Sequence, residues 1–221
     1  MASQKKRAYT LIDLGQYDKA LTLLNEVVKE EKTIRGEDDP HTLKTQHNLA
    51  YVLKKMKKYD DAFSLYVHVF ERRGQVLGND HPDTLSTQHN LASVLHDQKK
   101  YREALKMYSD VLEVRTETLG FDDPATLNTQ HNIALVLNAQ GNYEEAFTLF
   151  ANILDIQKDI LHDNHPNILA TQHNMAAVLE HQNKIEEAYD LYSHVFQMRS
   201  TILGERHPDT LNTKECMDAL G

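Results

Sequence analysis

Four histidines at a constant spacing are the side chains of this sequence best suited to chemistry. Each lies 42 residues after the previous one, and each is followed directly by an asparagine. The two rows are His47, His89, His131 and His173, and Asn48, Asn90, Asn132 and Asn174. Imidazole nitrogens can bind zinc or change charge near neutral pH, and amides offer both hydrogen-bond donors and an acceptor. The rows therefore indicate a metal site, a pH-dependent surface or a polar binding surface.

A metal site is the least compatible of these with the spacing. Metal–nitrogen bonds of about 2.0–2.1 Å require ligands that converge on one point. Equivalent side chains of successive units lie at least a helix-packing distance of about 8–10 Å apart. We therefore predict no metal and no cofactor. A polar lining and a pH-dependent surface both stay open, because four imidazoles facing one ligand would gain charge below about pH 6.5.

Other catalytic signals are missing from the sequence. It contains no Gly-x-Ser-x-Gly, no phosphate-binding glycine loop and no His-Glu-x-x-His, so we predict that the protein is not an enzyme. Its 24 basic and 33 acidic side chains give a net charge of −9, which argues against general binding of nucleic acid or an anionic membrane. Cys216 is the single cysteine, which fits a reducing, cytoplasmic location.

The period of 42 residues extends to the elements that must position these side chains. Prolines keep the same spacing, and so does an aromatic-x-x-alanine signature such as Tyr101 to Ala104. Within one period, Thr84–Gln98 and Tyr101–Leu119 each carry apolar residues at helical spacing, separated by a short polar turn. A fixed period of this size is typical of repeat proteins built from stacked supersecondary units. We predict repeats at about 1–36, 43–78, 85–120, 127–162 and 169–204, with a closing helix at about 208–220.

Small side chains recur where two helices must approach closely. On the first helix of each unit, helix A, they are Ala50, Ala92, Ala134 and Ala176, and on the second, helix B, they are Ala62, Ala104, Ala146 and Ala188. Glycine ends most B helices, where a left-handed cap is expected, with His162 as the exception. Proline opens the A helices, preceded by an aspartate N-cap at Asp39 and Asp123 and by poorer histidine candidates at His81, His165 and His207.

The residue pattern resembles the tetratricopeptide (TPR) consensus. Asn48-Leu49-Ala50, Leu53, Tyr59-Asp60-Asp61-Ala62, Tyr66 and Val69 carry the resemblance, as do the equivalent residues of the next three units. The loop before each A helix, His81-Pro82-Asp83-Thr84-Leu85 for example, is similar to the 42-residue repeats of kinesin light chains and nephrocystin-like proteins. Helix A here reads Gln-His-Asn-Leu-Ala, whereas the kinesin light chain pattern usually reads Leu-Asn-Asn-Leu-Ala.

This resemblance implies an all-α fold, a TPR-type α-solenoid forming one domain over residues 1–221, a right-handed superhelix of antiparallel helix pairs. It also implies that the A helices line a concave groove whose asparagines hydrogen-bond the backbone of a bound peptide. The alternative is that the asparagines join neighbouring helices. Helical periodicity places further residues on the same face. The predicted peptide-binding residues are Lys44, His47, Asn48, Tyr51, Lys55, Ser86, His89, Asn90, Ser93, Asn128, His131, Asn132, Leu135, His173 and Asn174.

Two functions follow as hypotheses. The first is a non-catalytic adaptor or scaffold for protein binding, which captures a peptide with acidic and apolar parts. Its groove is basic at the N-terminal end, where Lys5 and Lys6 add to Lys44 and Lys55, and more apolar at the C-terminal end. The second is a structural repeat protein that assembles through its ends or its convex face. Neither involves nucleic acid or a membrane, and we expect a monomer or a weak oligomer.

Overall fold

The computed structural model describes residues 2–221, with only the backbone of Ala2 described. Within that range the chain forms eleven α-helices and no strand. The helices are α1 (Ala2–Asp13), α2 (Tyr17–Arg35), α3 (Pro40–Lys55), α4 (Tyr59–Leu77), α5 (Pro82–Asp97), α6 (Tyr101–Leu119), α7 (Pro124–Ala139), α8 (Tyr143–Ile160), α9 (Pro166–His181), α10 (Ile185–Leu203) and α11 (Pro208–Asp218). Odd-numbered helices are the A helices of the repeats, and even-numbered helices are the B helices.

The helices belong to two compact units, Met1–Val114 and Arg115–Gly221, and α6 runs through the boundary. In the first unit, each helix from α1 to α4 packs against the next, and α3 also contacts α5. In the second unit, α7 to α11 pack in the same way, and α7 also contacts α9. Each unit is therefore a stack of helix hairpins with A helices side by side, and the predicted TPR-type α-solenoid fold is confirmed. The assignment of residues 1–221 to a single domain stays a prediction.

The predicted seams between helices are confirmed by burial. All eight periodic alanines, such as Ala50 on α3 and Ala62 on α4, are 0 % exposed. The aromatic residue that follows four positions after each helix B alanine is also buried, as Tyr66 and Phe150 show. Small side chains let the backbones approach, and the aromatic rings fill the space beside them. Within each unit, this packing holds neighbouring A helices in a fixed register, which a site along them requires.

Proline occupies the first turn of each A helix from α3 onward, and the residue before it caps the helix. Asp39 and Asp123 accept hydrogen bonds from the backbone N–H two residues later, at 2.9 and 2.8 Å. Histidine does the same through Nδ1: His81 accepts from Asp83 N at 3.1 Å and His165 from Asn167 N at 3.1 Å. Histidine therefore caps these helices as well, because a neutral imidazole nitrogen can accept a hydrogen bond. Its bonds are longer than those of aspartate, and whether histidine is the poorer cap stays a prediction.

Most B helices end at a glycine with positive φ, as predicted, although not in the αL region. Gly36, Gly78 and Gly204 combine φ of 90–98° with ψ of 154–165°, a region that is essentially restricted to glycine. In the fourth repeat His162 stands at the equivalent position. There α8 ends at Ile160, one residue earlier than its counterparts, and Leu161 is extended with φ −124°. The different ending follows from the side chain, because histidine does not tolerate the backbone conformation that glycine adopts.

Candidate functional site

All predicted site residues lie on A helices. Helix α3 carries those from Lys44 to Lys55 and α5 those from Ser86 to Ser93, both in the first unit. Helix α7 carries those from Asn128 to Leu135 and α9 carries His173 and Asn174, both in the second unit. Lys44, Lys55 and Asn128 are exposed, whereas most of the others are partly buried. The histidines and asparagines are therefore part of the packing as well as of the surface.

Each histidine of the row packs against the aromatic residue of its own helix B. The ring centroids of His47 and Tyr66 are 5.2 Å apart, with an edge-to-face angle of 72°. His131 meets Phe150 at 5.1 Å, and the other two histidines repeat the arrangement with Tyr108 and Tyr192 at 5.0 and 5.1 Å. Edge-to-face geometry of this kind is favourable between aromatic rings. The imidazoles therefore contribute to the packing of helix A on helix B.

Three of the four asparagines hydrogen-bond a side chain of the preceding helix A. Asn90 donates from Nδ2 to Nε2 of His47 at 3.0 Å, and Asn174 donates to Nε2 of His131 at 2.9 Å. Helix α1 has no histidine that could accept from Asn48 in the same way. Asn48 donates instead to the Tyr9 hydroxyl at 3.1 Å. These contacts support the alternative that the asparagines hold neighbouring helices together. An amide has two N–H groups and an oxygen, so one such bond leaves capacity for a second partner.

Burial lowers the pKa of three of these histidines to about 4. For His47, His131 and His173 the main cause is desolvation, which disfavours the charged imidazole, and the nearby guanidiniums of Arg73 and Arg199 add to the effect for His47 and His173. These imidazoles stay neutral between pH 7.5 and 5.5. The hypothesis of a groove that gains charge below about pH 6.5 is therefore wrong for these three.

His89 is the most buried histidine of the row. Its side chain is only 8 % exposed, and its ring packs against Tyr108. Its role as a peptide contact stays a prediction. Helical periodicity places all four histidines on one face of the helices. It does not show how deeply each side chain is buried between neighbouring helices.

A second periodic row of residues, not predicted from the sequence, lies inside each junction between a helix B and the next helix A. Its members are Glu31, Arg73, Arg115, Gln157 and Arg199 on the B helices and Thr45, Thr87, Thr129, Thr171 and Thr213 on the A helices. All ten residues are buried, with the five helix B side chains 2–8 % exposed. The signal was present in the sequence, because both rows keep the period of 42 residues and the helix B row interrupts an apolar stripe with a polar side chain.

Arginine connects the two helices at three of these junctions. Nη1 of Arg73 donates to the Asp83 carbonyl at 2.7 Å and to Thr87 Oγ1 at 2.8 Å. Arg115 and Arg199 make the equivalent pair of bonds, at 3.0 and 2.8 Å and at 3.1 and 2.7 Å. Desolvation lowers the pKa of all three guanidiniums, while a nearby aspartate opposes that shift. The arginines thus replace part of their lost hydration with carbonyl and hydroxyl acceptors.

At the first junction, between α2 and α3, the buried helix B side chain is acidic instead of basic. Glu31 accepts from Thr45 Oγ1 at 2.6 Å and pairs with Nζ of Lys5 on α1 at 2.7 Å. Lys5 was predicted to add positive charge to the groove. Its ammonium instead neutralises a buried carboxylate, so that part of the prediction is wrong, while Lys6 is exposed.

Two cavities bring predicted site residues together, one in each unit. The cavity of the first unit, about 330 Å³, is lined by Tyr9, Ile12, Asp13, Lys44, His47, Asn48 and Tyr51. The cavity of the second unit, about 280 Å³, is lined by Pro124, Leu127, Asn128, His131, Gln157, Ile160, Leu161, Asn167 and Ala170. Six of the predicted residues therefore line one or the other of these two cavities, four in the first unit and two in the second.

Among the described residues, no group of three or more His, Cys, Asp or Glu side chains is arranged to hold a metal ion. No helix between residues 2 and 221 is both long enough and apolar enough to cross a membrane.

Solved structures with a similar fold include kinesin light chain-like repeats. The nearly identical TPR-like repeats of a predicted kinesin light chain from Podosopora anserina are 28% identical in sequence, with a TM-score of 0.74 over 90% of this chain and 94% of that one. BtubC (BKLC) from P. vanneervenii is 17% identical, with a TM-score of 0.72 over 91% of this chain and 80% of that one.

The chain is also similar to the Rap conjugation gene regulator of the plasmid pLS20, solved in complex with the Phr* peptide. That structure is 16% identical, with a TM-score of 0.76 over 96% of this chain, which spans 55% of the regulator. No curated protein matches the sequence. The family model of the tetratricopeptide repeat matches residues 1–66, 41–117 and 125–199. Because these matches cover most of its length, the chain belongs to the tetratricopeptide repeat family.

Proposed function

We propose that the protein is a non-catalytic adaptor that binds a peptide segment of another protein on the face formed by its A helices. Membership of the TPR family supports protein–protein interaction as the class of function. The Rap regulator was solved with a bound peptide, and its similarity to this chain is one of fold. We place the protein in the cytoplasm as a monomer or weak oligomer, with no cofactor.

The observation that carries this proposal is the cavity of the first unit. It lies between α1 and α3, and four of its seven lining residues, Lys44, His47, Asn48 and Tyr51, were predicted from the sequence as peptide contacts. It combines an exposed ammonium, a tyrosine ring and an amide. This mixture of apolar surface with a few polar groups is typical of sites that bind a ligand in a defined orientation.

The contacts proposed for the peptide are the predicted residues, among which His89 has the smallest exposed surface. In the first unit, Lys44 and Lys55 are exposed and would attract acidic side chains. In the second unit, Leu135 and the cavity beside His131 offer a more apolar surface. The asparagines would contact the peptide backbone with the part of each amide that is not bound to a neighbouring helix. Because the stacking already orders these side chains, little further entropy is lost when a peptide binds.

A peptide-array experiment tests the proposal. The wild type would be compared with a Lys44→Glu/Lys55→Glu double variant, in which both changes are on exposed residues of α3. Lys106→Glu is the control, because it reverses a charge on α6, a helix B. The Lys106 side chain is 80% exposed. We expect the double variant to lose acidic peptides that the wild type and the control both bind. The same peptides bound equally by all three proteins would contradict the proposed surface.

Self-assembly is a second candidate, favoured by one feature of the last repeat. Ile185 and Tyr189 are 37% and 42% exposed, and they line a cavity of about 430 Å³ with Leu220. Sedimentation velocity over a hundredfold range of protein concentration tests this. A sedimentation coefficient that rises with concentration in the wild type but not in Tyr189→Lys would support assembly through this surface, and a constant value in both would reject it.

A further inference from the structure

In three repeats an arginine bridges helix B and the next helix A. The junction between α8 and α9, in the fourth repeat, lacks this arginine. Gln157 stands where Arg73, Arg115 and Arg199 stand elsewhere. The shorter amide reaches the threonine of the next helix A, since Thr171 Oγ1 donates to Gln157 Oε1 at 2.9 Å. Among the described residues, no guanidinium donates to the Asn167 carbonyl, which is the counterpart of the Asp83 and Asp209 carbonyls that accept from arginine.

The cavity of the second unit lies at this junction. Gln157 and Leu127 are 6 % and 5 % exposed and form its inner part, whereas Asn128, Ile160 and Asn167 are exposed and form its rim. Leu161 also lines it, because α8 ends early at Ile160 and the chain is extended at the next residue. The cavity is therefore accessible from solvent and apolar along most of its walls.

One donor and one acceptor at the cavity lack the partners that they have elsewhere. Nε2 of His131 accepts from Asn174, so the neutral ring carries its proton on Nδ1. In two other repeats the equivalent Nδ1 meets the junction threonine at 3.3 Å, as His47 meets Thr87 and His173 meets Thr213. Within residues 2–221, Nδ1 of His131 has no hydrogen-bond partner. The Asn167 carbonyl accepts only from the Thr171 hydroxyl of its own helix among side chains of the described chain.

The charges around this junction also differ from those at the arginine junctions. Each arginine has an aspartate close enough to favour its charge: Asp83 beside Arg73, Asp123 beside Arg115 and Asp209 beside Arg199. At the Gln157 junction the equivalent positions hold His165 and Asn167, and no lining residue of the cavity carries a formal charge at pH 7. Because burying an unpaired charge is costly, the cavity favours an uncharged occupant.

We propose that this cavity is the pocket for one uncharged side chain of the peptide ligand, with a hydrophobic body and an end that both donates and accepts a hydrogen bond, for which tyrosine is the best match. The ring would contact Leu127, Ile160 and Leu161. The phenol oxygen would accept from Nδ1 of His131 and donate to the Asn167 carbonyl. This pocket deepens the proposed function and rests on it for the identity of the ligand as a peptide.

The test uses the full chain labelled with ¹⁵N and titrated with N-acetyl-tyrosinamide by NMR. We expect dose-dependent shifts of amide signals around the cavity, with affinity at least severalfold higher than for N-acetyl-phenylalaninamide, which lacks the hydroxyl. Methylguanidinium should not shift these signals. Gln157→Arg should reduce tyrosinamide binding tenfold or more, because it introduces the arginine that occupies the equivalent junction in three other repeats. Ala170→Leu adds apolar volume at the cavity wall without a charge and serves if the arginine variant does not fold.

Three results would overturn the pocket: no shifts with tyrosinamide, equal binding in the wild type and both filled variants, or methylguanidinium shifting the same signals as strongly. Failure of the adaptor function looks different. Loss of acidic peptides in Lys44→Glu/Lys55→Glu, with no competition by tyrosinamide, would keep the adaptor and reject the pocket. Tyrosinamide binding that Gln157→Arg abolishes, in a protein that captures no peptide, would keep the pocket and reject its assignment to a peptide.

Discussion

Asn90 on α5 donates a hydrogen bond of 3.0 Å to Nε2 of His47, which lies on α3, the preceding helix A. The same imidazole packs its ring against Tyr66 on α4. One histidine therefore connects three helices, and Asn174 and His131 repeat this relationship in the second unit at 2.9 Å. Within each unit, these histidines and asparagines hold neighbouring A helices in register, and a binding surface along those helices depends on that register.

We expect Asn90→Ala to destabilise the fold by about 1–2 kcal/mol, because it leaves Nε2 of His47 without its donor in a half-buried position. Urea denaturation measures the free energy of unfolding. Asn128→Ala is the control, since Asn128 is exposed on α7 and its replacement should change stability by less than about 0.5 kcal/mol. Equal effects of the two substitutions would mean that the bond between Asn90 and His47 contributes nothing.

Stability should fall as the pH drops below about 6.5. His47, His131 and His173 have pKa values lowered from 6.5 to about 4 in the folded protein. Between these values the unfolded chain binds more protons than the folded chain, so the free energy of unfolding decreases with decreasing pH. At pH 5 the loss should be about 1–2 kcal/mol per histidine.

Urea denaturation at pH 7.5, 6.5, 5.5 and 5.0 checks this dependence before most carboxylates titrate. A His131→Gln variant should show a shallower dependence, because glutamine has no proton to gain. Unfolding free energies that stay constant from pH 7.5 to 5.0 would show that the imidazoles are not desolvated.

Two adjacent arginines should differ sharply in their contributions. Arg73 is 2 % exposed and bonds to the Asp83 carbonyl and to Thr87. Arg73→Ala should cost about 3 kcal/mol or more, because it leaves a cavity and two acceptors without their donor. Arg72 makes an exposed ion pair with Asp38 at 2.7 Å, and Arg72→Ala should cost less than about 1 kcal/mol. Thermal and urea denaturation would compare them, and a larger loss for Arg72→Ala would contradict the buried row.

The first junction allows a test by compensation. Lys5→Ala should destabilise the protein by about 3 kcal/mol, because Glu31, which is 2 % exposed, loses the ammonium that neutralises it. Adding Glu31→Gln should recover part of that loss, since the amide needs no counter-charge and can still accept from Thr45. Lys6→Ala on the exposed neighbour is the control. If Lys5→Ala and Lys6→Ala are equally mild, the pair between Lys5 and Glu31 does not matter for folding.

Local sequence features determined the helices and their buried faces. The apolar spacing placed Tyr101–Leu119 as a helix, and α6 has these bounds. Gly78 marks the end of α4, because glycine can adopt positive φ. Pro82 marks the start of α5, because the proline ring fixes φ at a value that suits the first turn of a helix. The recurrence of alanine at Ala92 and Ala104 predicted the seams, and both residues are fully buried. The family could also be recognised from these residues, because they carry the repeat pattern itself.

The hydrogen-bond partners were decided by the tertiary structure. Periodicity put His47 and Asn90 on equivalent faces, but their bond joins residues 43 positions apart and depends on how far one helix is shifted along the next. The same shift brings Arg73 to Thr87, and it opens a cavity where Gln157 is too short to fill the junction. Side-chain type and spacing specify which face of a helix is buried, whereas pairing, burial depth and pKa arise only when that face meets a particular neighbour at a particular distance.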